Sequence, residues 1–164
     1  IEEAFKNFNE PENDDFEVLK LREMVSNQIN DSNFKLILEN YIIEEDTGEF
    51  LGEWEPKKIN KITDLKNEIK KNKNSFWGDH ILIQLLEKAL NINIILLNSE
   101  NEYFNNDYNI QKTGNEFINF RRTIILKYIS NVHFELIGYF NGNKIQTIFS
   151  FDEIPKELKN IYFY

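Results

Sequence analysis

The 164-residue sequence predicts an α/β (α+β) fold, with a small and mostly antiparallel central sheet flanked by helices. Three observations predict it: helical stripes of apolar residues in the first half, a continuous apolar run at residues 92–97, and a group of strand candidates with a hairpin signal near the end. Hydrophobic residues make up 41% of the chain and aromatic residues 14%. This composition favours one sizeable core, so we predict a single domain over residues 1–164.

Amphipathic helices are predicted in the first half of the chain. Apolar residues recur at helical spacing over residues 1–8, 18–29, 34–42 and 82–90, and a shorter helix is predicted to end near Lys70. Residues with short polar side chains precede most of these stretches and are the expected N-caps: Asp14 or Asp15, Asp31 or Ser32, Thr63, and Asp79. Residues 44–61 are acidic and rich in turn formers, which predicts a surface loop.

Strands are predicted in the second half. Asn91 is expected to end the preceding helix, and residues 92–97 are expected to form a central strand that is buried on both faces. Residues 98–120 lack a sustained period, which predicts a long loop with a short edge strand. Further strands are predicted at 123–129, 133–140 and 144–151, and Asn141-Gly142-Asn143 predicts a hairpin between the last two. Pro155 is predicted to open a final helical turn at 156–160.

Composition argues against several classes of function. The formal net charge is −9 and the basic residues are scattered, so we expect no nucleic-acid partner, whereas a neutral or basic protein partner is weakly favoured. The chain contains no cysteine and two histidines, so we expect no disulfide framework, no metal site of the usual zinc spacing and no cofactor. No apolar run is long enough to span a bilayer, so no membrane partner is expected.

The two histidines differ in context. His80 is expected at the start of a helix, exposed and without a catalytic role. His133 and Glu135 alternate with Phe134 on a predicted strand, so the imidazole and the carboxylate share a face. A general base must be held in one orientation by a hydrogen-bonded group, which Glu135 or the nearby amide of Asn131 can supply. Spacing alone, however, favours an ordinary histidine at a sheet edge.

Other catalytic groups find no support in the sequence. Ser130 lies three residues before His133, but no Gly-x-Ser-x-Gly elbow is present, so a serine triad is not favoured. The numerous carboxylates lie mainly on solvated helix faces and suggest no specific two-carboxylate glycosidase site.

Several segments together carry a family resemblance. They are Lys20-Leu21-Arg22, Trp77-Gly78-Asp79 at the opening of a helix, the isoleucine-rich strand, His133-Phe134-Glu135-Leu136-Ile137, and the closing residues 149–155. In this order they resemble the ovarian-tumour (OTU) family of cysteine deubiquitinases, especially the divergent members encoded by large DNA viruses and some microbes. The likeness covers essentially the whole chain and implies an OTU-like cysteine protease fold. Within it, we assign Trp77 and Gly78 to packing.

The resemblance also implies a chemistry: thiol-dependent hydrolysis of ubiquitin isopeptide bonds. It further implies ubiquitin or a ubiquitin-like protein as the partner, and an intracellular location in the host cytoplasm or the virion. Family members carry an Asp-x-x-Cys motif just before the helix that is already in progress at Ile1, so we expect the nucleophile a few residues upstream. His133 would take the proton of that cysteine and later protonate the leaving amine, and Glu135 or Asn131 would orient the imidazole.

The chain as given contains no cysteine, so by itself it cannot perform thiol chemistry. Two alternatives therefore stay open. One is a catalytically inactive OTU-like module that binds ubiquitin, and the other is a protein-interaction domain unrelated to ubiquitin.

Overall fold

A computed structural model describes residues 18–71, 79–98, 109–129, 133–140 and 142–163. Within these ranges the chain contains five α-helices and a small mixed sheet, which confirms the predicted α/β class. The chain divides into two compact units, one formed by Asp15–Ala89 and the other including Leu90–Tyr164. The single domain proposed for residues 1–164 stays a prediction. No helix in the described ranges has both the length and the apolar character needed to cross a membrane.

The unit Asp15–Ala89 is helical. Its elements are α1 (Val18–Asn27), α2 (Phe34–Thr47), a 3-10 turn (Pro56–Lys58), α3 (Ile62–Lys70) and α4 (His80–Leu90), whose last residue belongs to the other unit. Helix α1 packs on α3, where the Arg22 guanidinium donates a 3.0 Å hydrogen bond to the Ile69 carbonyl. The predicted apolar stripes supply the buried side chains Val25, Ile29, Ile37 and Tyr41, and α3 adds Leu65 and Ile69.

Two of the predicted helix caps are wrong by one or two residues. Helix α2 has Asn33 at its N-cap position, after Asp31 and Ser32. At α3 the N-cap is Lys61, and Thr63 lies inside the first turn. Capping there comes from within the helix, because the Asp64 carboxylate accepts a 3.0 Å bond from the Lys61 amide. A carboxylate at the third helical position can satisfy amides that precede it, so the preceding residue needs no polar cap.

The surface loop predicted at residues 44–61 is only partly correct. Helix α2 continues to Thr47 and ends at Gly48, whose φ of 78° is the left-handed conformation that favours glycine at this position. Beyond it, Trp54 is buried and packs edge-on against Tyr41 at 5.3 Å between ring centroids, while Phe50 meets Trp54 at 5.1 Å. Phe50 and Trp54 thus pack the segment against α2. Because they are only two residues, they produce no periodic pattern in the sequence.

The start and end of α4 match the prediction. The Asp79 carboxylate caps the helix by accepting a 2.9 Å bond from the Leu82 amide. Asn91 ends it with a φ of 53°, a left-handed conformation that asparagine tolerates better than most residues. Most residues of the helix are buried, including Leu85, Leu86 and Leu90 of the predicted apolar face.

The other unit contains the sheet. Its strands are β1 (Asn93–Asn98), β2 (Asn109–Gln111), β3 (Thr123–Ile129), β4 (His133–Leu136), β5 (Tyr139–Phe140), β6 (Ile145–Gln146) and β7 (Ile148–Phe149), followed by α5 (Lys156–Phe163). The strand order is β2-β1-β3-β4, with β7 also paired to β3. Only the pairing of β1 with β3 is parallel among the described strands, and the other pairings are antiparallel.

Strand β3 is central. One of its edges pairs with β1 from Thr123 to Tyr128. Its other edge is shared, because Thr123 and Ile124 pair with β7 whereas residues 126–129 pair with β4. The side chains of Ile124, Ile125 and Leu126 are accordingly almost completely buried.

The predicted hairpin is present, but the two long strands on either side of it are interrupted. Strand β4 stops at Leu136, and β5 and β6 form a separate two-stranded sheet before β7 returns to β3. At the break a Cβ atom on Gly138 would collide with Ile145 Cγ2, so a larger residue there would force the Ile145 side chain or the backbone to shift. The residues predicted at 133–140 and 144–151 therefore form a hairpin that leaves the main sheet and rejoins it.

A compact core lies beneath this sheet. It comprises Ile95, Leu97, Ile125, Phe149, Ile154 and Tyr162. Helix α5 contributes Tyr162, whose ring lies 5.5 Å from that of Phe117. The final helix is longer than predicted, since it runs to Phe163, and it starts one residue after Pro155, whose carbonyl accepts the Lys159 amide at 3.0 Å.

Candidate functional site

His133 and Glu135 lie together on β4, as the period-2 pattern predicts. The distance from His133 Nε2 to Glu135 Oε1 is 4.0 Å, and the two side chains are 65% and 53% exposed. At that distance a small rotation of either side chain would bring the carboxylate within hydrogen-bonding range of the ring. The exposure matters because a general base must be reachable by the group whose proton it takes.

Two kinds of contact position the strand that carries this pair: backbone pairing with β3 and side-chain stacking on the opposite face. His133 is opposite Ile129 and Glu135 is opposite Lys127 in the antiparallel register with β3. On the opposite face of β4, the Phe134 ring stacks on Tyr128 with the centroids 4.5 Å apart and the planes 15° from parallel. Since successive side chains of a strand alternate between its faces, this aromatic pair fixes the strand without covering the imidazole.

The outer edge of β4 is open in the part of the chain that the structure describes. The Ile137 amide donates a 2.9 Å bond to the Ile125 carbonyl, so this pair belongs to the hydrogen-bonded positions of the ladder. By alternation, the main-chain groups of Phe134 and Leu136 face away from β3. The described strands include none beyond β4 on this side. An extended peptide could therefore align next to the imidazole.

The third predicted site residue, Asn131, lies outside the described residues, as do Ser130 and the packing pair Trp77 and Gly78. The structure therefore bears on two of the three predicted site residues, and it brings those two together. Among the described residues, no group of three or more histidine or acidic side chains is placed to hold a metal ion.

A second titratable cluster, which the sequence did not indicate, lies in the helical unit around the N-cap of α4. Burial raises the pKa of Asp79, against the opposing effects of the Leu82 amide, the Tyr41 hydroxyl and His80. Burial also raises the pKa of Tyr41 well above its usual value, and the neighbouring Asp79 adds to this increase. The pKa of Glu44 is likewise raised, first by burial and then by the charge of Asp79.

This cluster joins the last turn of α2 to the start of α4. His80 is exposed at that start, as predicted, and its charge opposes the rise in the pKa values of Glu44 and Asp79. The cluster escaped sequence analysis because Tyr41 and Asp79 are 38 positions apart, and no local pattern links them. An enclosed carboxylate with a capping role explains the arrangement without any reaction.

Replacing Asp79 with asparagine is expected to stabilise the protein, relative to the wild type, increasingly as the pH rises from about 4 through the raised folded-state pKa of Asp79. The folded-state pKa of Asp79 is raised. The protonated carboxyl therefore contributes fully to the free energy of unfolding below the unfolded-state pKa, and this contribution is lost as the pH rises through the folded-state pKa. Asparagine carries no proton to lose, and its Oδ1 can still accept the Leu82 amide. Urea denaturation across this pH range measures the difference.

Asp79→Ala is the matched control, because it removes the cap as well as the charge and should cost about 1 kcal/mol. Equal destabilisation by asparagine and alanine near the upper end of the range would mean that the ionised carboxylate stabilises the folded state.

No family model and no curated protein matches this chain in sequence comparisons. The residues and their geometry are therefore the basis for any functional assignment.

Proposed function

We propose that the intact protein is an OTU-like deubiquitinase that hydrolyses ubiquitin isopeptide bonds with a cysteine supplied from upstream of Ile1. The observation that carries the proposal is the exposed His133–Glu135 pair, 4.0 Å apart on β4. This is the residue pair, on the type of element, that the resemblance to the OTU family implies for a catalytic base and its orienting group. The OTU-like arrangement of the fold is part of the same proposal.

The chemistry follows the general course of thiol hydrolysis. His133 takes the proton of the cysteine, and the thiolate attacks the carbonyl carbon of the isopeptide bond. The carbon–nitrogen bond breaks as the imidazolium returns the proton to the lysine amine, which leaves an acyl group on sulfur. His133 then takes a proton from water, the hydroxide attacks the thioester carbonyl carbon, and the carbon–sulfur bond breaks to release the ubiquitin carboxylate and return the thiolate, which His133 reprotonates. Glu135, or alternatively Asn131, holds the imidazole in the required tautomer throughout.

The hairpin that follows β4 provides a surface for the body of a protein substrate. Phe140 and Ile145 are directly paired across it, so their side chains share one face, and they are 65% and 69% exposed. Tyr139, on the other face, is also exposed. Exposed apolar side chains that cluster beside a candidate site are typical of protein-binding surfaces. The open edge of β4 would accommodate an extended segment that leads toward His133.

The test is cleavage of diubiquitin by the protein extended upstream of Ile1. We expect monoubiquitin to be released, and we expect replacement of the upstream cysteine by alanine to abolish its release. An extended protein that contains a cysteine but leaves every diubiquitin linkage intact would refute the deubiquitinase proposal.

The second candidate is a catalytically inactive ubiquitin-binding or protein-interaction module. It is favoured by one observation, the absence of cysteine from all 164 residues. Titration of the chain as given with ubiquitin distinguishes the candidates further, since a binding module should retain affinity without turnover. Absence of both binding and turnover would favour an interaction domain unrelated to ubiquitin.

A further inference from the structure

The outer face of α2 carries two exposed apolar side chains among polar ones, although the helix already buries its opposite side. Leu36 and Ile43 are 63% and 59% exposed, whereas Ile37 and Tyr41 on the other side are buried. Leu36 and Ile43 are seven residues apart, so they lie on one face of the helix, about 10 Å from each other along its axis. Residues seven apart occupy the same heptad position, which is one of the two positions that form the seam between packed helices.

Two acidic side chains of α2 lie next to this apolar pair. Glu39 and Asp46, also seven residues apart, follow one flank of the stripe, at positions that correspond to the charged flanks of a two-helix seam. Residues 34–55 contain seven acidic residues and one lysine, a net charge of −6, against −9 for the whole chain. Helix α2 and the segment after it are therefore acidic, as are residues 1–33, which also carry a net charge of −6.

The local lysines compensate for this charge weakly. Lys35 lies 3.8 Å from Glu39, and Lys57 pairs with Asp46, but all four side chains are more than half exposed, where ion pairs contribute little. The last turn of α2 contains no basic residue. Acidic side chains at a helix C-terminus interact unfavourably with the helix dipole; Lys57 pairs with Glu45 and Asp46 there, and a further cation would add to this compensation.

We propose that this face of α2, formed by Leu36, Ile43, Glu39 and Asp46, docks a basic amphipathic helix of another protein. Apolar side chains of that helix would pack on Leu36 and Ile43, and its lysine or arginine side chains would face the two carboxylates. A second copy of the chain fits poorly, because it would bring the same carboxylates against each other. The proposal is independent of His133 and of the proposed hydrolysis.

The test uses a synthetic, fluorescently labelled peptide of about three heptads, with leucine at the seam positions and lysine at the flanking positions. In fluorescence anisotropy we expect saturable binding with a Kd on the order of 10 μM at low salt, weakening as salt is added. Leu36→Gln combined with Ile43→Gln should weaken binding by at least about tenfold. Glu39→Gln combined with Asp46→Asn should reduce the affinity and its salt dependence.

The matched control is Ile161→Gln on α5, because Ile161 is 59% exposed, the same as Ile43, and lies in the other unit. It should leave binding unchanged. Absence of saturable binding, equal losses from Ile161→Gln and from the α2 variants, or equal binding of a peptide with glutamate flanks would overturn the proposal. Self-association in sedimentation that disappears in the Leu36 and Ile43 variant would also overturn it, since the occupant would then be a second copy.

Discussion

Replacing His133 with alanine in the intact protein is expected to lower the rate of isopeptide hydrolysis by about 10²–10⁴-fold, the contribution of a positioned general base. The folded state should be almost unaffected. The side chain is 65% exposed, and its neighbour on the same face, Glu135, is 4.0 Å away and itself exposed. Surface substitutions of this kind change the free energy of unfolding by no more than about 0.5 kcal/mol.

The measurement is single-turnover cleavage of diubiquitin, with a thermal melt of each variant as the control for folding. Glu135→Gln and Asn131→Ala, tested separately, identify the orienting group, since the variant that lacks it should lose part of the rate while the other keeps it. Unchanged turnover in His133→Ala would remove this residue from the mechanism. A large fall in the melting temperature would instead show that the histidine supports the fold.

Replacing Phe149 with alanine is expected to destabilise the protein by about 3–5 kcal/mol. Phe149 on β7 is 0% exposed and pairs with Thr123 of the central strand. Its ring lies in the core cluster with Ile125 and Ile154, where a truncated side chain would leave a cavity that rigid strands cannot fill. A loss of this size is a large fraction of the stability of an ordinary domain.

Urea denaturation measures the effect of Phe149→Ala, and Phe140→Ala is the control. Phe140 lies on the exposed hairpin, so its truncation should change stability by no more than about 0.5 kcal/mol. A loss below about 1 kcal/mol for Phe149→Ala would contradict the position of this ring in the core.

The elements that the sequence predicts well are those with a strong local signal. Strand β3 has the predicted bounds, Thr123–Ile129, because a compact apolar run is typical of a central strand. The Asp79 cap and the left-handed Asn91 at the two ends of α4 follow from local side-chain and backbone chemistry. The shared face of His133 and Glu135 likewise follows from the alternation of side chains along a strand.

What the sequence did not predict depends on contacts between distant residues. The burial of Trp54 requires Tyr41 of α2 as its partner, and the interruption of the hairpin strands depends on the close approach of Gly138 and Ile145. The raised pKa values of Glu44 and Asp79 likewise depend on contacts between residues that are distant in the sequence. None of these contacts has a period or a spacing that local pattern analysis can detect.

The shared edge of β3 has a consequence during synthesis. When a nascent chain has emerged only as far as Ile129, β1 can already pair with one side of β3, but β4 and β7, which complete the other side, have not yet left the ribosome. At translation speeds of about 5–20 residues per second, the part of that side that pairs with β7, Thr123 and Ile124, stays unpaired for roughly one to four seconds. Throughout this interval the nascent chain exposes unpaired backbone N–H and C=O groups, to which other nascent chains and chaperones can bind.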